Sequence, residues 1–222
     1  MSEWWTYTLS DLLMFSTATY FRLFELQNLA LWPIQVLALA VGIALLACLW
    51  HGGAKAGRAV AVSLALAWLH VAWRYFSQRY ATIHTGAPYF AIGFALQSVL
   101  LFWLACRPQG ARLIRPIGSL GKLAMGIALL ALIGYPLLAP LGGRPWMQYE
   151  LFALAPDPTV AFTLAALLLW RAHWTLWIVP LLWCFISSAT LMELHSAQAW
   201  VLLVLALPAL GARWLAATRA HS

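Results

Sequence analysis

The sequence predicts an all-α integral membrane protein: a bundle of seven transmembrane helices preceded by an N-terminal interfacial amphipathic segment. Three observations predict it. The 222 residues are 64% hydrophobic and only 9% charged, where a soluble domain carries roughly a quarter charged residues. Several Leu- and Ala-rich runs approach the roughly 20 residues that cross a bilayer as helix, and period-two alternation is absent, which argues against a barrel. The net charge of +7 is distributed as an address for one membrane leaflet and not as a nucleic-acid footprint.

The chain reads as one membrane domain, 1–222, with no room for a soluble one. Residues 1–28 form an expected interfacial collar: Trp4, Trp5, Tyr7, Phe15, Tyr20, Phe21 and Phe24 suit the headgroup level. Met1 to Tyr7 has neither a basic stretch nor an apolar core, so no signal peptide is expected. The first span covers about 30–50, kinked at Pro33, and the second about 59–76 after the turn His51-Gly52-Gly53. The third covers about 88–106 and is followed by a basic loop with Arg107, Arg112 and Arg115. The fourth covers about 119–141, ended by Pro140, Gly142, Gly143 and Pro145. Residues 146–156 are too polar to span and too apolar to float free, which predicts an interfacial or re-entrant piece. Spans five, six and seven cover about 158–171, 174–191 and 198–215. Spans five and six could instead form one bent helix, which would give six spans.

Sidedness favours seven. With the N-terminus outside, nine basic residues fall inside: Lys55, Arg58, Arg107, Arg112, Arg115, Lys122, Arg171, Arg213 and Arg219. Four, Arg22, Arg74, Arg79 and Arg144, fall outside, as the positive-inside rule expects. The same topology places all six acidic residues outside. The expected location is thus a bacterial inner membrane, with the C-terminus cytoplasmic. Cys48, Cys106 and Cys184 are scattered without paired spacing and read as packing residues.

The outer mouth of this bundle is the candidate site. It gathers His70, Arg74, Arg79, His84, Glu25, Asp157, Glu193 and His195 as a polar pocket, with Gln78, Arg144 and Glu150 on the same side. Ionisable groups at membrane depth suggest function by default, although headgroup-level charges also pair simply to pin loops. Ser63, Ala67, His70 and Arg74 share one helical face that must meet protein or water. His70 suits an interhelical hydrogen bond, and alternatively a proton-carrying group or haem ligand. Gln97 suits interhelical glue, and Ser187-Ser188-Ala189-Thr190 a closely packed small face. A metal site can be drawn from His84, Asp157, Glu193 and His195, but no ligand spacing enforces it. No cofactor is therefore expected. No phosphate loop or nucleophile elbow occurs.

Three stretches carry a resemblance: Phe24 to Pro33, Tyr80 to Ile83 with Tyr89-Phe90, and above all Phe152 to Thr163. On these the chain resembles an uncharacterised bacterial multi-pass family, domain of unknown function 6064. The resemblance covers most of the chain and brings no activity. It implies Cys between Pro156 and Pro158, where this chain has Asp157; a reactive or metal-binding role of that thiol would be lost or changed here. Independently of ancestry, Asp157 suits a helix N-cap and Pro158 the first helical position.

Three classes of function follow. The first is a small carrier or channel-like protein with spans arranged three, one and three. The second is an accessory or assembly subunit, meeting other membrane subunits or copies of itself through its aromatic surfaces. The third is an intramembrane metal- or haem-dependent enzyme. The lipid bilayer is a partner in each; nucleic acid is a partner in none.

Overall fold

In a computed structural model, residues 15–107 and 110–218 are described. The first half of the expected collar, including Trp4, Trp5 and Tyr7, lies outside them, as do Glu3, Asp11 and Arg219. Helix α1 (Thr17–Leu31) opens the described chain, N-capped by Ser16, whose Oγ accepts from the Thr19 amide at 3.2 Å. Tyr20, Phe21, Leu23, Phe24, Gln27, Asn28 and Leu31 are buried against the bundle. Of the aromatic residues that suggested a headgroup collar, Tyr20, Phe21 and Phe24 are core residues and Phe15 is half-buried.

Helix α2 (Ile34–His51) starts after Pro33, which separates it from α1 as a break and not a kink. Helix α3 (Ala54–His70) continues as a π-helical turn, Val71–Ser77. Helix α4 (Ala87–Cys106) follows, and α5 (Gly118–Leu129) runs through a second π turn, Leu130–Gly134, into Tyr135–Leu141. Then come α6 (Pro156–Trp170), α7 (Thr175–Glu193) and α8 (Val201–Thr218). Among the described residues, six rods are long and apolar enough to cross a membrane: Ile34–His51, Ala54–Thr82, Ala87–Cys106, Gly118–Leu141, Thr175–Glu193 and Ala197–Leu215.

Helix α6 differs from all of these. It has 15 residues, about 22 Å of helix, short of the ~30 Å hydrocarbon core. Every one of its residues is buried, with α3, α5, α7 and α8 packed around it. Apart from Asp157, Thr159 and Thr163 its sequence is apolar, with no polar face, the pattern of a helix that meets only protein. It ends at Arg171 in the left-handed conformation (φ 48°), with Ala172 N–H returning to the Leu167 carbonyl at 3.2 Å, a closed C-terminal cap. Helices α6 and α7 are therefore two rods and not one bent helix. The start of α6 meets the end of α7, so they run antiparallel.

The rods are tied by small residues and buried amides. Ser98 Oγ donates to the Ala65 carbonyl at 2.7 Å, joining α3 and α4. Gln97 Nε2 donates to the Leu176 carbonyl at 3.1 Å, joining α4 and α7. Trp68 Nε1 donates to Thr163 Oγ1 at 2.8 Å, anchoring α3 to the central helix. Such bonds glue helices where no water competes. One end of the bundle is closed by Gly53 pairing with Leu113 and by Ile114 N–H donating to the Leu169 carbonyl at 2.9 Å. Lys55, Arg58, Arg107, Arg112, Arg115, Lys122 and Arg171 belong to this end. The other end carries Glu25, Glu150, Asp157 and Glu193.

Candidate functional site

The segment between α5 and α6 folds back into the bundle. Residues Leu151, Phe152, Leu154 and Ala155 are buried although the backbone there is not helical. Irregular backbone is tolerated inside such a bundle only if its polar groups find partners, and side chains supply them. Asn28 Nδ2 donates to the carbonyls of Met147 and Tyr149, each at 2.9 Å. Gln27 Nε2 donates to the Leu154 carbonyl. His70 Nδ1 lies 2.9 Å from the Ala153 carbonyl, and the Ala153 amide donates to Thr159 Oγ1 at 3.0 Å. Ala153 itself has φ 65°. The polar residues of α1 and α3 are thus the scaffold of this re-entrant loop.

The loop carries Glu150 inward. Its side chain is 3% exposed, as is that of Asp157 at the second position of α6. Helix α6 begins at Pro156, two residues before the expected start, so Asp157 is not its N-cap. Its carboxylate turns to α7 instead. Oδ1 accepts from Trp183 Nε1 at 2.9 Å, and Ser187 Oγ reaches Oδ1 at 2.9 Å and Oδ2 at 2.8 Å. All these partners are neutral. Glu150 and Asp157 are within electrostatic reach of each other.

Three tyrosines lie within electrostatic reach of the two carboxyls. Tyr75 comes from the π turn of α3, and Tyr135 follows the π turn of α5. Such turns rotate the residues after them relative to an unbroken helix and recur at functional sites. The side chains of Tyr20, Tyr75 and Tyr135 are buried, and each lies within reach of both carboxyls. The hydroxyls of Tyr135 and Ser188 are buried without a hydrogen-bond partner. An unpaired buried hydroxyl costs about 1–3 kcal/mol, so these groups are poised for an occupant. Burial pushes the Glu150 carboxyl well above the usual carboxylate range; the charge of Asp157 adds to this, and Arg144 opposes it.

Arg144 stands between Glu150 and solvent. Its guanidinium stacks on Phe21 at 3.6 Å, and Nη2 donates to Gln198 Oε1 at 2.6 Å. Burial lowers its proton affinity, and Glu150 partly restores it. On its outer side is a cavity of about 630 Å³ lined by Arg22, Arg144, Gln148, His195 and Gln198.

The sequence-derived pocket residues share this end of the bundle but sit in different places. His195 lines the cavity, at φ 51°. Glu25 accepts from Gln148 Nε2 at 3.3 Å at its edge. Asp157 lies in the interior. His70 lies on the flank between α2 and α3, where its ring meets the carbonyl of Ala153 in the loop before α6 and not, as anticipated, a neighbouring helix. Arg74 bonds Gln78, and Arg79 is half-buried nearby. His84 stacks on Tyr80 at 5.1 Å, and burial lowers its pKa. Glu193 is exposed. Among the described residues no group of three or more His, Cys, Asp or Glu is arranged to hold a metal ion, so His84, Asp157, Glu193 and His195 do not form a common ligand set.

The residues that converge with Asp157 are Glu150, Trp183, Ser187 and the three tyrosines. The Ser187-Ser188 pair was visible in the sequence only as a small-residue face; the indole of Trp183 gave no signal. A family model described as a family of unknown function, DUF6064, matches residues 17–220. No curated protein and no solved structure matches the chain.

Proposed function

The chain belongs to this family of unknown function, and from that premise we propose that it is a small multi-pass carrier for a monovalent anion, entered from the Arg144 end. The observation that supports it best is the cavity of about 630 Å³ with Arg22, Arg144 and His195 on its walls, backed by two buried carboxyls. Cationic walls attract an anion, and buried ionisable groups at membrane depth are characteristic of solute and ion pathways. In this proposal seven helices cross the inner membrane of a bacterium, α6 enclosed by α3, α5, α7 and α8. The basic end faces the cytoplasm and the cavity faces outward. No resident cofactor and no enzymatic step is involved.

The test is uptake by proteoliposomes of a panel of inorganic anions and short carboxylates. At least one should accumulate, and Arg144→Ala should reduce its uptake at least tenfold while Trp200→Phe does not. Uptake indistinguishable from empty liposomes across the panel would sink the proposal. An accessory subunit is the alternative. It is favoured by an apolar groove of about 370 Å³ on the flank of α2 and α5, lined by Gln35, Val36, Leu132, Ile133 and Trp146. Migration as part of a larger complex in native gels of the host membrane would support that role.

A further inference from the structure

We propose that Glu150 and Asp157 form a proton-binding site that holds one exchangeable proton between them, loaded and unloaded through water in the cavity beside Arg144. As a binding site it stands alone; its use as the coupling ion of a carrier rests on the function proposed above.

The geometry assigns the two carboxyls different parts. Asp157 receives hydrogen bonds from Trp183 and Ser187, the pattern of a group held as carboxylate. Glu150, equally buried, lies in the field of that charge. Two like charges so placed in a low-dielectric interior do not both persist, and the pair titrates as a unit. Glu150 is therefore the member that carries the proton.

A second, independent feature points the same way. Tyr135 and Tyr75 are 97% and 99% buried and interact electrostatically with both carboxyls, and the Tyr135 hydroxyl has no hydrogen-bond partner. Ser188 Oγ, next to Ser187, is also buried and unpartnered. A hydroxyl both donates and accepts, so unpaired hydroxyls beside the pair suit a site whose occupant changes its protonation state.

The charged and titratable groups around Glu150 are Asp157 from α6, Arg144 from the loop after α5, Tyr20 from α1, Tyr75 from α3 and Tyr135 from α5. Arg144 is the one permanent cation among them, and it also lines the cavity. Glu150 does not itself line the cavity, so loading transfers a proton from water that enters past Arg144 to a Glu150 carboxylate oxygen and leaves hydroxide to the bulk; unloading is the reverse. Loading leaves Arg144 without its counter-charge, free to hold the anion, so proton and anion would enter together.

The test is infrared difference spectroscopy on the full chain in detergent, between mildly acidic and alkaline buffer, in sodium and in choline chloride. One carbonyl band of a protonated acid should outlast the ordinary carboxylate range, in both salts, and vanish in Glu150→Gln. Trp183→Phe removes one donor from Asp157 and keeps the pair; it should move loss of the band upward by roughly one pH unit, the size of one charge-assisted hydrogen bond. All carboxyl bands ionising together in the ordinary range would overturn the site, as would loss of the band only in sodium, which would make it a metal-cation site. A persistent band without anion uptake in proteoliposomes would sink the carrier and leave the proton site intact; uptake without the band would do the reverse.

Discussion

Asp157 and Trp183, 26 residues apart in the chain, meet at 2.9 Å through a carboxylate oxygen and an indole N–H. The bond fixes α6 against α7 at the depth where Glu150 enters, so the register of the two helices and the geometry of the acid pair depend on each other. Removing a donor from a buried charge costs about 1.5–3 kcal/mol. Trp183→Phe and Ser187→Ala should each lower unfolding stability by that amount, measured by denaturation in mixed micelles. Trp200→Phe, at an exposed position, should change it by less than about 0.5 kcal/mol. Equal effects at the two tryptophans would contradict the role given to the bond.

Stability should depend on pH through Glu150. A carboxyl that binds protons more tightly folded than unfolded stabilises the fold fully below its unfolded pKa. That contribution is lost as pH rises through the folded value. Burial, and then Asp157, raise the Glu150 value, so the melting midpoint should fall as buffer moves from mildly acidic through neutral. Glu150→Gln should flatten this limb. His84, whose pKa burial lowers, acts in the opposite sense below the ordinary imidazole range, so the variant isolates the glutamate.

Close packing at the basic end makes Gly57 intolerant. A Cβ there would lie 1.6 Å from the Ala111 carbonyl oxygen, which is backbone and cannot step aside. Gly57→Ala should destabilise by at least about 1–3 kcal/mol. Gly126 meets nothing within 4 Å, so Gly126→Ala should be neutral or stabilise by about 0.5–1 kcal/mol, as expected for a helix interior. Thermal scans of both variants decide this.

Orientation can be tested with a native thiol. Cys106 is exposed at the basic end, while Cys184 is buried. If the basic end is cytoplasmic, a membrane-impermeant maleimide should label Cys106 in inverted vesicles and not in intact cells. Labelling from the outside would reverse the proposed topology.

Much of the fold was legible because hydropathy and helix breakers are local. Gly52-Gly53 and the run Pro140 to Pro145 mark real ends, and Gln97 bonds between helices as its position implied; Pro33, read as a kink, separates two helices. The candidate site was less legible, because its partners are distant in sequence. Trp183 and Ser187 reach Asp157 only through the α6–α7 hairpin. Tyr75 and Tyr135 are aimed by π turns, which leave no mark on a 3.6-residue pattern. Glu150 lies in a segment whose polarity suggested an interface; it is buried because Gln27, Asn28 and His70 satisfy the loop backbone. The spacing of Tyr20, Phe21, Phe24, Asn28 and Leu31 was the available sign that α1 packs inward, and the abundance of aromatic residues obscured it.

Because Pro156–Trp170 is enclosed on every side by its neighbours, it has no stretch of its own that lipid could solvate in place of protein. Biogenesis must then leave the sleeve ajar: α3 and α5, made earlier, can close only once the core segment has been threaded between them, with α7 and α8 arriving to seal it.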